Sequence, residues 1–184
     1  MDEYKRHVKE TFEKDGSGFT VFMGLDAAPS YLVTYGFFAT YGLPEIIVFG
    51  DKFMLDTLLR LYNEMIDALE NLISFRDDQH WPMKCDGHHV VGRFVEASNV
   101  TADRFGDAQF CHQLAGISKP IPAYQLFWPD ENGRFPWERG CSEVCRSLQP
   151  LLSNRLYEVP TRRHSLRSRL EAIIETFRVR GPRR

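Results

Sequence analysis

Five side chains in one short stretch carry the mixture best suited to recognition: Trp128, Asp130, Arg134, Trp137 and Glu138, within Trp-Pro-Asp-Glu-Asn-Gly-Arg-Phe-Pro-Trp-Glu. Two indoles offer flat apolar surfaces with one N–H donor each, and charge stands beside them. Trp and Arg dominate protein hot spots and also hold planar ligands. A structural use of the same residues is weighed ahead of that contact role. The aromatics would close the end of the core, Arg134 would pair with Asp130 or Glu138 across the turn, and Pro129 and Pro136 would fix φ near its ends.

Other groups could in principle bind metal or attack a substrate. His80, Cys85, His88, His89, Cys111, His112, Cys141 and Cys145 are all zinc-type ligands, but no Cys-x-x-Cys pair is present. Cys141 and Cys145 stand four apart with no matching second pair, so neither a metal nor a cofactor is assigned. Cys111 and His112 are neighbours and would point about 100° apart on a helix, which rules out a dyad between them. A cysteine served by His89 or His164 would need a spatial meeting that spacing alone does not provide. No Gly-x-Ser-x-Gly elbow and no Gly-x-x-x-x-Gly-Lys loop occurs.

The elements that must position these groups can be read from periodicity. Tyr4, Val8 and Phe12 fall four apart, consistent with a short N-terminal helix. Phe19–Met23, Tyr31–Tyr35, Glu45–Phe49, His89–Val95 and Tyr124–Trp128 read as strands. Residues 51–73 form the clearest helical pattern, with Asp51 as N-cap. Further helices are expected near 101–114 and 165–179, and the segment 76–89 reads as polar and irregular around Pro82. Asn132-Gly133 between aromatic runs is a hairpin signal, because both residues tolerate positive φ. Strands and helices do not alternate strictly, so the expected class is α+β: one domain with a largely antiparallel sheet packed by the 51–73 helix.

Composition bounds the rest. The 184 residues, 43% of them hydrophobic, suffice for one substantial core. No stretch approaches the roughly 20 apolar residues of a membrane span, and the charged N-terminus lacks a signal region. Cysteines are therefore expected to be reduced, and Asn99-Val-Thr101 to be a chance sequon. Residues 155–184 hold nine Arg against three Glu, a local +6, while 14 basic against 22 acidic side chains leave −8 on residues 1–154. That basic extension would lie on its own body, on an acidic partner or on nucleic acid. With only Tyr157 and Phe177 as aromatics beside the arginines, nucleic acid is the weakest of the three.

Tyr35-Gly36, the block Tyr41-Gly-Leu-Pro-Glu-Ile-Ile-Val-Phe-Gly50, and Gln125-Leu-Phe-Trp-Pro-Asp through Phe-Pro-Trp-Glu138 resemble the bacterial domain-of-unknown-function family 4262. Gln149-Pro-Leu-Leu152 fits the same pattern, so the resemblance covers roughly residues 16–152. It implies a bacterial cytoplasmic protein and brings no functional residues. The expected division is an extension at 1–15, a core domain at 16–152 and a basic extension at 153–184. The leading functional expectation is a non-catalytic binding or accessory module that contacts a protein partner, immunity proteins being one instance. A small enzyme or small-molecule site near Trp128, Asp130, Arg134 and His88 is the alternative, and nucleic-acid contact through the tail the second.

Overall fold

The computed structural model describes residues 2–24, 28–50, 75–85 and 87–153. The helices expected at 51–73 and 165–179, and the basic extension, lie outside the described residues. Helix α1 spans Glu3–Asp15, and Asp2 caps it by accepting from the Lys5 N–H at 2.7 Å. Its Val8 enters the core. Strands β1 (Gly18–Phe22), β2 (Ser30–Tyr35) and β3 (Glu45–Gly50) follow, with a short helix α2 (Phe37–Tyr41) between the last two. Then come β4 (Gln79–Cys85), β5 (His88–Phe94), helix α3 (Ala102–Leu114), β6 (Ala123–Phe127) and helix α4 (Glu143–Leu148).

The six described strands form one sheet in the order β1-β2-β3-β6-β5-β4, antiparallel at every junction except the central β3–β6 pair. The α+β class and the antiparallel character expected from the sequence therefore hold. Every residue of β3 and β6 is buried, because both faces of the central strands are covered. Ile46, Val48, Tyr124 and Leu126 face one core, with Leu32, Trp81, Val90 and Phe94. Ile47, Phe49 and Ala123 face the other, packed by Val8 of α1 and by Phe105, Ala108 and Cys111 of α3. An uninterrupted apolar run such as Ile46–Phe49 is what a doubly covered strand requires.

Two local expectations are corrected. Segment 76–89, read as irregular, contains the edge strand β4 and the start of β5. Proline has no N–H for the ladder, but β4 is the edge strand among the described residues, and the register slips between His80 and Lys84. Cys85 pairs with His88 and Gly87 takes φ +84, a tight hairpin turn. Second, the chain after Trp128 turns at Asn132-Gly133 but builds no second strand, so 128–138 is a loop rather than a β-hairpin. Phe37–Tyr41 and Glu143–Leu148 are short helices for which the sequence carried no expectation.

Gly92 in β5 shows how closely the sheet packs. A Cβ there would lie 2.0 Å from the Tyr124 ring. That ring is buried, and its hydroxyl donates to the Arg76 carbonyl at 2.5 Å, so it has nowhere to retreat. Gly92→Ala is expected to cost about 1–3 kcal/mol as an overpacked core position, read as a lower denaturation midpoint at unchanged slope.

Candidate functional site

The five residues singled out in the sequence sit on the loop that leaves the C-terminal end of β6, and the fold uses each differently. Trp128 is buried against the end of β3, and its indole N–H donates to the Phe49 carbonyl at 2.7 Å. Its own peptide groups are met by one side chain. Gln149 accepts the Trp128 N–H on Oε1 at 3.0 Å and donates Nε2 to the Trp128 carbonyl at 2.8 Å. The amide thus substitutes for a neighbouring strand where the ladder has ended. Gln125 repeats the device from β6 onto the same segment, accepting from the Leu152 N–H and donating to the Pro150 carbonyl.

Asp130 organises the turn. Its Oδ1 accepts the N–H groups of Asn132 and Arg134, and its Oδ2 that of Ser142, each at 2.9 Å. These donors, the Arg134 N–H foremost, hold its carboxyl below the usual carboxylate range. Glu138 closes the next turn, with Oε2 accepting the Phe135 N–H at 2.7 Å. The expected pairing of Arg134 with Asp130 or Glu138 is therefore replaced. Both carboxylates are taken by backbone donors, which tight turns leave in need of acceptors, and Arg134 donates to the Gly140 carbonyl at 2.9 Å instead.

Trp137 is half-buried with both faces occupied. Phe135 stacks on it at 5.1 Å and 6°, Phe127 meets it edge-on at 5.0 Å, and the Arg93 guanidinium carbon lies 3.4 Å from its ring centroid. A planar ligand has no free indole face here. Arg93 points from β5 and is itself buried, with Nε and Nη2 each 2.5 Å from Asp78 Oδ1. Asp77 alongside accepts the Phe94 N–H at 2.7 Å. Arg93 thus joins the start of β4 to the 128–138 loop.

The metal and nucleophile candidates are dispersed. Among the described residues no group of three or more His, Cys, Asp or Glu could hold a metal ion. His80 and His89 bring their rings to 6.3 Å on the β4–β5 surface, with His89 Nδ1 2.8 Å from the Trp81 carbonyl. His88 faces Gly133, leaving 3.0 Å to where a Cβ would stand. Cys111 packs into the core, whereas His112 stacks on Phe38 at 5.1 Å, so the neighbours diverge as expected. All four cysteines are buried. Burial pushes Cys111 and Cys145 up to about 12, away from the thiolate a nucleophile needs.

Two consequential polar residues went unnoticed in the sequence. Arg93 interrupts an apolar strand and Glu45 opens one, and a charge on such a run is the signal that could have found them. Glu45 is fully buried between β2 and α2, accepting from the Thr34 hydroxyl at 2.8 Å and the Phe38 N–H at 3.1 Å. Burial pushes its carboxyl up to about 7, against the pull of those donors.

The most specific segment of the chain is now placed: it ties β6, β3 and β5 together. A family model described as a domain of unknown function, DUF4262, matches residues 12–142. The chain belongs to that family. Comparison with curated proteins and with solved structures finds no match. The matched span takes in the loop through Ser142, so Asp130 and all three of its N–H donors lie within the family's signature. Cys145 and Gln149 lie beyond it.

Two outcomes follow from the paired carboxylates. Asp130→Asn leaves one amide oxygen for three donors and sets an NH2 against a backbone N–H. Thermal unfolding followed by circular dichroism should show a lower midpoint, with proteolysis in 130–142 appearing first. Glu45 acts with the opposite sign. Between pH 4.5 and about 7 the folded chain keeps a proton that the unfolded chain releases, so stability falls as pH rises through that window. The shift corresponds to roughly 3 kcal/mol at about 1.4 kcal/mol per unit, and Glu45→Gln should flatten the curve by that amount in denaturation series at pH 4 to 8.

Proposed function

We propose that the chain is a binding module that contacts a protein partner through the 131–146 end of the sheet. The observation that carries this reading is the rim left exposed once the loop's own bonds are made. Glu131, Arg134, Glu138, Arg139, Glu143 and Arg146 are exposed, three of each sign, around Val144, which is 66% exposed. Such a mixed, neutral rim suits a protein surface and not a polyanion, whose recognition needs an excess of cations.

The rim is also pre-ordered. Arg134 donates to the Gly140 carbonyl, and Arg146 Nη2 to the Glu138 carbonyl at 2.8 Å. Guanidinium groups held in this way lose less conformational freedom on binding. The enzymatic alternative near Trp128, Asp130, Arg134 and His88 has less support, because Trp128, Asp130 and Glu138 are already engaged by the backbone. A cytoplasmic bacterial setting remains part of this proposal and rests on the family resemblance; an immunity or accessory role is one instance of the binding reading.

Val144→Glu combined with Arg146→Glu alters the rim without touching the buried clasp. Affinity capture from extract of the source organism should retain one partner near stoichiometry on the natural chain, reduced at least about tenfold on the variant. A partner retained equally by both, or lost only on deletion of residues 154–184, would move the contact elsewhere.

A further inference from the structure

Cys141 and Cys145 bracket the capped first turn of α4, and nothing in the binding reading uses them. Ser142 is the N-cap between them, its hydroxyl accepting the Cys145 N–H at 3.2 Å and its own N–H held by Asp130. The Cys141 N–H donates to the Glu138 carbonyl at 3.2 Å, so the backbone on both sides is fixed. This turn directs both thiols inward to the same core cluster, where Cys145 lies within hydrogen-bonding reach of Cys141 and the two are not bridged. The Cys145 sulfur also touches the clasp itself. It donates to the Trp128 carbonyl at 3.7 Å and accepts from Gln149 Nε2 at 3.2 Å.

We propose that Cys141 and Cys145 form an exchangeable dithiol that closes to a disulfide with a small-molecule disulfide as oxidant. Cys141 is the first to react, being 6% exposed against 1% for Cys145. Its thiolate attacks one sulfur of the oxidant and expels the other half as a thiolate, giving a mixed disulfide. Cys145 then attacks the Cys141 sulfur, forming the internal bond and releasing the second half. The pair gives up two electrons and two protons, and the oxidant becomes two thiols. Burial pushes Cys145 up to about 12, so its S–H proton passes to the departing thiolate as it attacks, and its contact with Cys141 positions the step. Closure removes the Cys145 S–H from the Trp128 carbonyl, which makes the Gln149–Trp128 clasp responsive to oxidation.

The test uses the full chain, folded, equilibrated with oxidised glutathione and quenched in acid. The natural chain should lose two of its four thiols and become two hydrogens lighter, reversibly with dithiothreitol. Trypsin cuts after Arg139 and Arg146, so the disulfide should lie within the single peptide 140–146. Cys145→Ser should stop at a glutathione adduct on Cys141, and Cys141→Ser should leave Cys145 reduced. Cys111→Ser should behave as the natural chain. Amide exchange at Trp128, whose N–H ends on Gln149, should quicken on oxidation. Four intact thiols in the folded natural chain, or a glutathione adduct accumulating there without closure, would overturn the proposal. Unchanged exchange at Trp128 in the oxidised chain would overturn its link to the clasp.

Discussion

The bond from the Trp128 indole to the Phe49 carbonyl joins the ends of the only parallel strand pair among the described residues, β3 and β6. In an open sheet, the crevice beyond the carboxyl ends of parallel strands is the customary place for a ligand. Here an indole occupies it. A buried indole must give its N–H an acceptor, and the last carbonyls of β3 lack one strand neighbour where the sheet ends. Trp128 answers both needs at once. The remaining loop follows from that choice, since a chain turning back under its own strand needs acceptors for its turn N–H groups. Asp130 and Glu138 provide them, and Gln149 completes the two peptide groups of Trp128.

Arg93 extends the same logic to the other side of β5. A buried guanidinium is costly unless its charge is paired and its face covered. Asp78 supplies the charge and Trp137 the face, and each comes from a different connection. The result is that the 77–78 turn, β5 and the 135–138 turn cannot shift independently. Trp137 therefore spends its aromatic surface inside the molecule. On the binding reading proposed above, contact at this end is assigned to the exposed charges and Val144.

Local patterns in the sequence were sufficient for much of the fold. The Ile46–Phe49 run, the 102–114 helix and the turn at Asn132-Gly133 depend on neighbours three or four residues away, and they appear where expected within a residue or two. β4 was missed for a non-local reason. Pro82 is acceptable only on an open edge, and that β4 is an edge depends on where the last strand of the sheet lies. The same limit hid Arg93–Asp78, Trp128–Phe49 and Trp128–Gln149, whose partners are 15, 79 and 21 residues apart. All five candidate binding residues do share one loop. Their individual roles were decided by backbone donors that the side-chain types alone did not reveal.

The two carboxylates that most repay comparison are Asp130 and Glu45, because each is buried yet they are pushed in opposite directions. Asp130 has three backbone N–H donors and remains charged, so its electrostatic field is spent on the turn that holds it. Glu45 draws chiefly on the Phe38 N–H and the Thr34 hydroxyl, with the Phe37 and Gly36 N–H groups adding less, and full burial outweighs them all, so its carboxyl rises toward neutrality. A raised carboxyl in a cleft is a common mark of acid–base chemistry. Glu45 differs in having its donors within its own β2–α2 surroundings. Thr34 also accepts the Ile46 N–H, closing the network on the strand that carries Glu45. The raised carboxyl therefore marks a buried joint between β2, β3 and α2.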